Sequence, residues 1–114
     1  MSKYTTFCEW NYVGEDSFEH CYLRPSTPED IDYDGYNMIG GAGRDGFDLI
    51  VHNSLEDALL KCNYNPAAIN YCDLSDEDFN KVLDILSDYS WTYERGLVRN
   101  EQGVKSLWNI DKNK

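Results

Sequence analysis

Asp30, Asp32 and Asp34 alternate along the chain and are followed by Gly35. That is the opening of a loop that could wrap a hard cation in carboxylate oxygens, with glycine at the sharp turn. The twelfth position of such a loop, which closes the coordination with a bidentate Glu, is Gly41 here. Asp45 and Asp48 lie further on, and the segment reads as a solvated acidic loop with no metal. Gly41-Ala42-Gly43-Arg44-Asp45-Gly46 spells GxGxxG. A pyrophosphate cradle needs a helix after that motif, whereas residues 47–52 read as a strand, so no cofactor is expected. Cys8, Cys21, Cys62 and Cys72 lack CxxC spacing, and His20 and His52 are too scattered to complete a zinc site. Cys21 adjoins His20, but neighbours on a strand face opposite ways, so a nucleophile and base do not meet there. No constellation satisfies the geometry of catalysis, and the chain reads as a non-enzyme with no catalytic residues.

The chemistry that remains is charge. Asp and Glu number 21 against 10 Lys and Arg, a net charge of −11 over 114 residues. Such a field draws in cationic partners and repels nucleic acid and anionic membranes. The acids recur on separate segments: Glu15 and Asp16, then Glu29, Asp30, Asp32 and Asp34, then Glu56 and Asp57, then Asp73 with Asp76, Glu77 and Asp78. Glu77, Asn80, Lys81, Asp84 and Asp88 fall on one face of a helical projection. Glu77 and Lys81 make a favourable i, i+4 pair, whereas Asp84 and Asp88 repel. Uncompensated repulsion suits a surface shaped for a cationic partner; the plain alternative is a solubilising coat. The candidate partner-binding residues are Glu29, Asp30, Asp32, Asp34, Asp76, Glu77, Asp84 and Asp88.

These groups need elements to position them. Residues 4–13 put Tyr4, Thr6, Cys8, Trp10 and Tyr12 on one face at period two, the pattern of a strand. Gly14 to Ser17 forms a turn, and 18–24 a second strand ended by Pro25, giving a hairpin. Residues 25–46 make a long acid- and glycine-rich loop. A helix starts at Ser54, with Leu55, Ala58, Leu59 and Cys62 as its apolar stripe and Pro66 ending it. Residues 68–72 read as a thin strand. Ser75 caps a second helix with Asp76, Glu77 and Asp78 in its first turn, and Phe79, Val82, Leu83 and Leu86 as its buried stripe. Residues 91–99 and 104–110 read as strands around a loop ending in Gly103. The expected fold is α+β: a small antiparallel sheet built from the N- and C-terminal hairpins, packed with two helices, in a single domain over residues 1–114.

The first residues carry no charged and apolar leader pattern, and no apolar run is long enough to span a bilayer. A cytoplasmic protein with reduced, mostly buried thiols is expected. The composition of a short, acidic, Tyr-rich chain resembles that of phage-encoded antagonists of restriction or CRISPR systems, which would act in the host cytoplasm. That class is convergent, so the likeness covers composition alone and carries over no residue. It implies an inhibitor that mimics DNA and blocks the basic nucleic-acid-binding surface of a partner enzyme, with aromatic anchors beside the acids. An immunity protein against a nuclease toxin shares that physics. A structural or assembly module, such as a homodimer joined through its aromatics, differs from both.

Overall fold

A computed structural model describes residues 3–13, 16–32, 46–62 and 64–112. Strand β1 spans Tyr4–Val13 and β2 spans Asp16–Pro25, paired antiparallel with Cys8 opposite Cys21. Strand β3, Gly46–His52, lines the other edge of β1, again antiparallel, so β1 is the central strand of three. The β-branched and aromatic content of β1 suits a strand flanked on both sides.

Alternation gives the two faces of this sheet different work. Tyr4 and Thr6 are buried on one face, where Tyr4 joins the apolar core and Cys8 packs against it. Thr5 and Phe7 point the other way. Helix α2, Leu55–Cys62, and helix α3, Asp76–Leu86, cover the first face. Their burial follows the expected stripes: Leu55, Ala58 and Leu59 on α2, Val82 and Leu86 on α3. Both starts are capped as the sequence suggests, with Ser54 Oγ accepting from the Asp57 N–H and Ser75 Oγ from the Asp78 N–H, each at 3.1 Å.

The α+β class therefore stands, and the finer layout differs in three places. The long loop contains a short helix α1, Pro28–Ile31, begun by a Thr27 capping box with proline in its first turn. The expected strand at 68–72 is instead a 3-10 turn, Pro66–Ala68, followed by one parallel bridge between Asn70 and Tyr22. Tyr71 there is fully buried and donates its hydroxyl to the Pro66 carbonyl at 2.7 Å, satisfying the one polar atom of a large core side chain.

The third difference is the C-terminal hairpin. Strands β4, Tyr89–Thr92, and β5, Gly96–Arg99, close across Tyr93, Glu94 and Arg95, and form a separate two-stranded sheet. Gly96 and Gly103 both have positive φ, 71° and 86°, so each sits where only glycine is unstrained. Either could have closed the hairpin; the tighter turn at Gly96 does so. The segment after Gly103 runs back along α3 without pairing as a strand. It is held by the Ser106 N–H on the Ser87 carbonyl at 2.7 Å and Trp108 Nε1 on the Tyr89 carbonyl at 3.1 Å.

His52 closes the core-facing side of β3, buried and hydrogen-bonded to Thr6 Oγ1 at 2.8 Å. Burial lowers its pKa below 6.5, the Lys61 charge lowers it further, and Asp57 opposes them. The folded state thus favours neutral imidazole. Its contribution is complete above the unfolded value and is lost as the pH falls through the lowered folded one. Unfolding free energies from urea denaturation should drop on going from pH 7 towards pH 5, by at most ~1.4 kcal/mol per pH unit from this group, and His52→Gln should flatten that slope. An unchanged slope in the variant would assign the effect elsewhere.

Candidate functional site

A groove of about 600 Å³ opens between the start of α2 and the middle of α3. Tyr4, Leu55 and Ile85 give it apolar walls, and Glu56, Lys81 and Asp84 give it charge. Helix geometry explains the arrangement: Glu56 follows Leu55 in the first turn of α2, and Asp84 precedes Ile85 on α3, so each acid stands beside a residue that anchors its helix. Tyr4 reaches across from β1 and donates its hydroxyl to Asp78 at 3.1 Å. Arg99 lies 3.6 Å from Glu56 and donates to the Tyr89 hydroxyl at 2.9 Å, joining this groove to the C-terminal hairpin. On that hairpin Trp91 and Tyr93 meet edge to face at 4.7 Å between centroids, and Tyr93 is 91% exposed. A half-buried Trp91 packed on an exposed Tyr93, on the hairpin that Arg99 ties to the groove, is the raw material of an interface anchor.

The candidate acids fare unequally. Asp30 is buried; one oxygen accepts from Arg24 at 2.8 Å, and the other accepts from Thr5 Oγ1 and the Thr27 N–H, each at 3.0 Å. Burial pushes its carboxyl up, but the bonds from Thr27, Arg24 and Thr5 and the Arg24 charge outweigh burial and hold its pKa below the usual 3.8. Both oxygens of that carboxylate accept hydrogen bonds from within the protein. Glu29 and Asp32 flank it and are exposed, and Asp34 lies outside the described residues.

Asp76, at the start of α3, accepts from Lys112 at 2.7 Å, and Asp88, two residues beyond the helix end at Leu86, accepts from Lys105 at 2.5 Å. The bond from lysine is the main cause holding each carboxyl below its ordinary range. Glu77 sits 3.8 Å from Lys81. The helix ends before the expected i, i+4 pairing of Asp84 with Asp88 can form, and Lys105, on a segment that the sequence gives no reason to place there, pairs with Asp88 instead. Among the described residues no ion pair involves Asp84, in contrast to Asp76, Glu77 and Asp78 on the same helix.

The two acidic clusters do not share a surface. Asp30 bonds to Thr5, and Asp78 bonds to Tyr4. Adjacent residues on β1 face opposite ways, so α1 lies on one side of the sheet and α3 on the other.

The cysteines also depart from expectation. Cys8 and Cys21, opposite each other on β1 and β2, form a disulfide. Cys72 is exposed, not buried. Cys62, on the last turn of α2, brings its sulfur to 3.4 Å from that of Cys21 and 3.8 Å from that of Cys8. Burial pushes the Cys62 thiol up to about 11. The hairpin register carries the missed signal: β2 begins at Asp16, two residues earlier than a turn through Ser17 allows, and only that register sets Cys8 against Cys21.

No helix among the described residues is long and apolar enough to cross a membrane. No family model, curated protein or solved structure matches the chain.

Proposed function

We propose that this protein binds a positively charged protein surface through the α2–α3 groove and the adjoining aromatic hairpin, and that the surface it occupies is one its partner uses for nucleic acid. The observation that carries the reading is Asp84 standing free of ion pairs among the described residues, across from Glu56 in an open groove, on a chain of net charge −11. Arg or Lys side chains entering that groove would meet carboxylates where they otherwise meet phosphates. The overall charge steers encounter, and Trp91 and Tyr93 supply apolar area that slows dissociation. In this reading the protein is an antagonist acting in the partner's compartment, the cytoplasm, and performs no catalysis.

The sheet restricts the reading to one side. Glu29 and Asp32 belong to the opposite face and contribute to long-range steering alone. The test is competition: partner captured from a lysate should release labelled duplex DNA or RNA when this protein is added, and less so as salt rises. A ternary complex retaining the nucleic acid would overturn the reading.

A further inference from the structure

The sulfur atoms of Cys8, Cys21 and Cys62 come from three different elements and lie within 4.8 Å of one another. Thiolates sharing one metal ion at a bond length of about 2.3 Å stand roughly 3.7–4.0 Å apart. The two edges made by Cys62, 3.4 and 3.8 Å, are already close to that size. The third edge is the Cys8–Cys21 bond. Cys21 is 2% exposed, and the other two sulfurs belong to half-buried residues packed between the sheet and α2. A disulfide alone needs two cysteines, and core filling at the end of α2 needs no sulfur. Attack by Cys62 on the disulfide is a poor use of the third, because a thiol buried in apolar surroundings is a weak nucleophile.

We propose that Cys8, Cys21 and Cys62 form a redox-gated three-thiolate site for Cu(I). A dithiol reductant opens the gate: its two sulfurs join as a disulfide, and the two electrons and two protons it gives up convert the Cys8–Cys21 bond into two thiols. One Cu(I) ion then replaces the three thiol protons, which pass to solvent. The all-sulfur ligand set selects a soft ion. Among the described residues no histidine or carboxylate joins the three sulfurs, so a fourth donor of the kind zinc prefers is missing while trigonal Cu(I) is satisfied. In the oxidised protein the same atoms hold only one thiol and no site exists. The inference is independent of the partner-binding reading.

The experiment titrates the reduced, desalted full chain anaerobically with Cu(I), supplied as its acetonitrile complex, against the chromophoric chelator bicinchoninate. One equivalent should be retained, with ultraviolet sulfur-to-copper charge-transfer absorption, while the disulfide form retains none. Cys62→Ser and Cys62→Ala should each weaken binding by more than the ~10–100-fold that changes outside a coordination shell cost. Cys72→Ser should leave it unchanged. Under conditions in which iodoacetamide alkylates all four cysteines of the reduced, metal-free wild-type chain, copper should protect Cys8, Cys21 and Cys62 and leave Cys72 reactive, a footprint that needs no variant to fold. Equal retention by the oxidised and reduced forms, unaltered affinity in both Cys62 variants, alkylation of all four cysteines in the presence of copper, or retention of Zn(II) but not Cu(I) would each overturn the proposal.

Discussion

Asp30→Ala lowers the unfolding free energy by about 3 kcal/mol, the low end of the cost of stripping one partner from a buried ion pair. The low end applies because Arg24 is 31% exposed and its head can turn partly to water, whereas the Asp30 side chain is 4% exposed. Three interactions go at once: the Arg24 pair, the bond from Thr5, and the half of the Thr27 capping box that Asp30 supplies. Arg24 is then left over the Phe7 ring at 5.7 Å with its buried Nε already lacking a partner among the described residues. Asp30→Asn keeps the shape and one acceptor, so it costs less. The same carboxylate carries a pH signature. Its folded pKa lies below 3.8, so its contribution is present above that value and disappears as the pH falls through the folded one. Urea denaturation at pH 7 and below pH 4 measures both. A neutral Asp30→Ala at pH 7 would show that the buried pair contributes nothing.

Reversing charge at the groove is the second large effect. Glu56→Lys combined with Asp84→Lys should weaken partner binding by about 100-fold, taking each rim charge at roughly tenfold. The salt dependence should flatten as well, because fewer opposite charges meet. Glu29→Lys with Asp32→Lys changes net charge equally but lies across the sheet, and should alter the association rate modestly and the dissociation rate not at all. The paired comparison separates a localised groove from diffuse acidity. Equal losses from both pairs would favour the solubilising coat over a binding surface. Melting temperatures of the two double variants guard against a folding effect, since Glu56 faces Arg99 and Lys81 lies in the same groove.

Local signals carried much of this fold. Period-two alternation located β1, serine caps located α2 and α3, and the apolar stripes named most of their buried residues. The misses share a cause, which is competition between equivalent local signals settled by tertiary contacts. Gly96 and Gly103 both follow a polar turn segment and both adopt positive φ, and nothing in the local chemistry ranks them. Ile69 and Tyr71 alternate like a strand, yet Pro66 starts a 3-10 turn and a single bridge to β2 is all that remains. Thr27-Pro28-Glu29-Asp30 does contain a readable capping signature, and it is the dense run of acids around it that masks a structural carboxylate as a surface one. The site was less legible than the fold. Lys105 and Lys112 neutralise Asp88 and Asp76 from 17 and 36 residues away, and the three sulfurs converge from strands and a helix whose packing no spacing rule encodes.

The binding reading stands or falls on competition measured by fluorescence anisotropy. Labelled duplex is bound to the partner captured from a lysate, and the wild-type protein or the Glu56→Lys, Asp84→Lys variant is titrated in at two salt concentrations. Wild type should displace the duplex at low salt, with a midpoint that rises at least ~10-fold as salt increases several-fold, and the variant should fail at both concentrations. Displacement that is indifferent to salt and undiminished in the variant, or a partner that holds this protein and the duplex together, would contradict it.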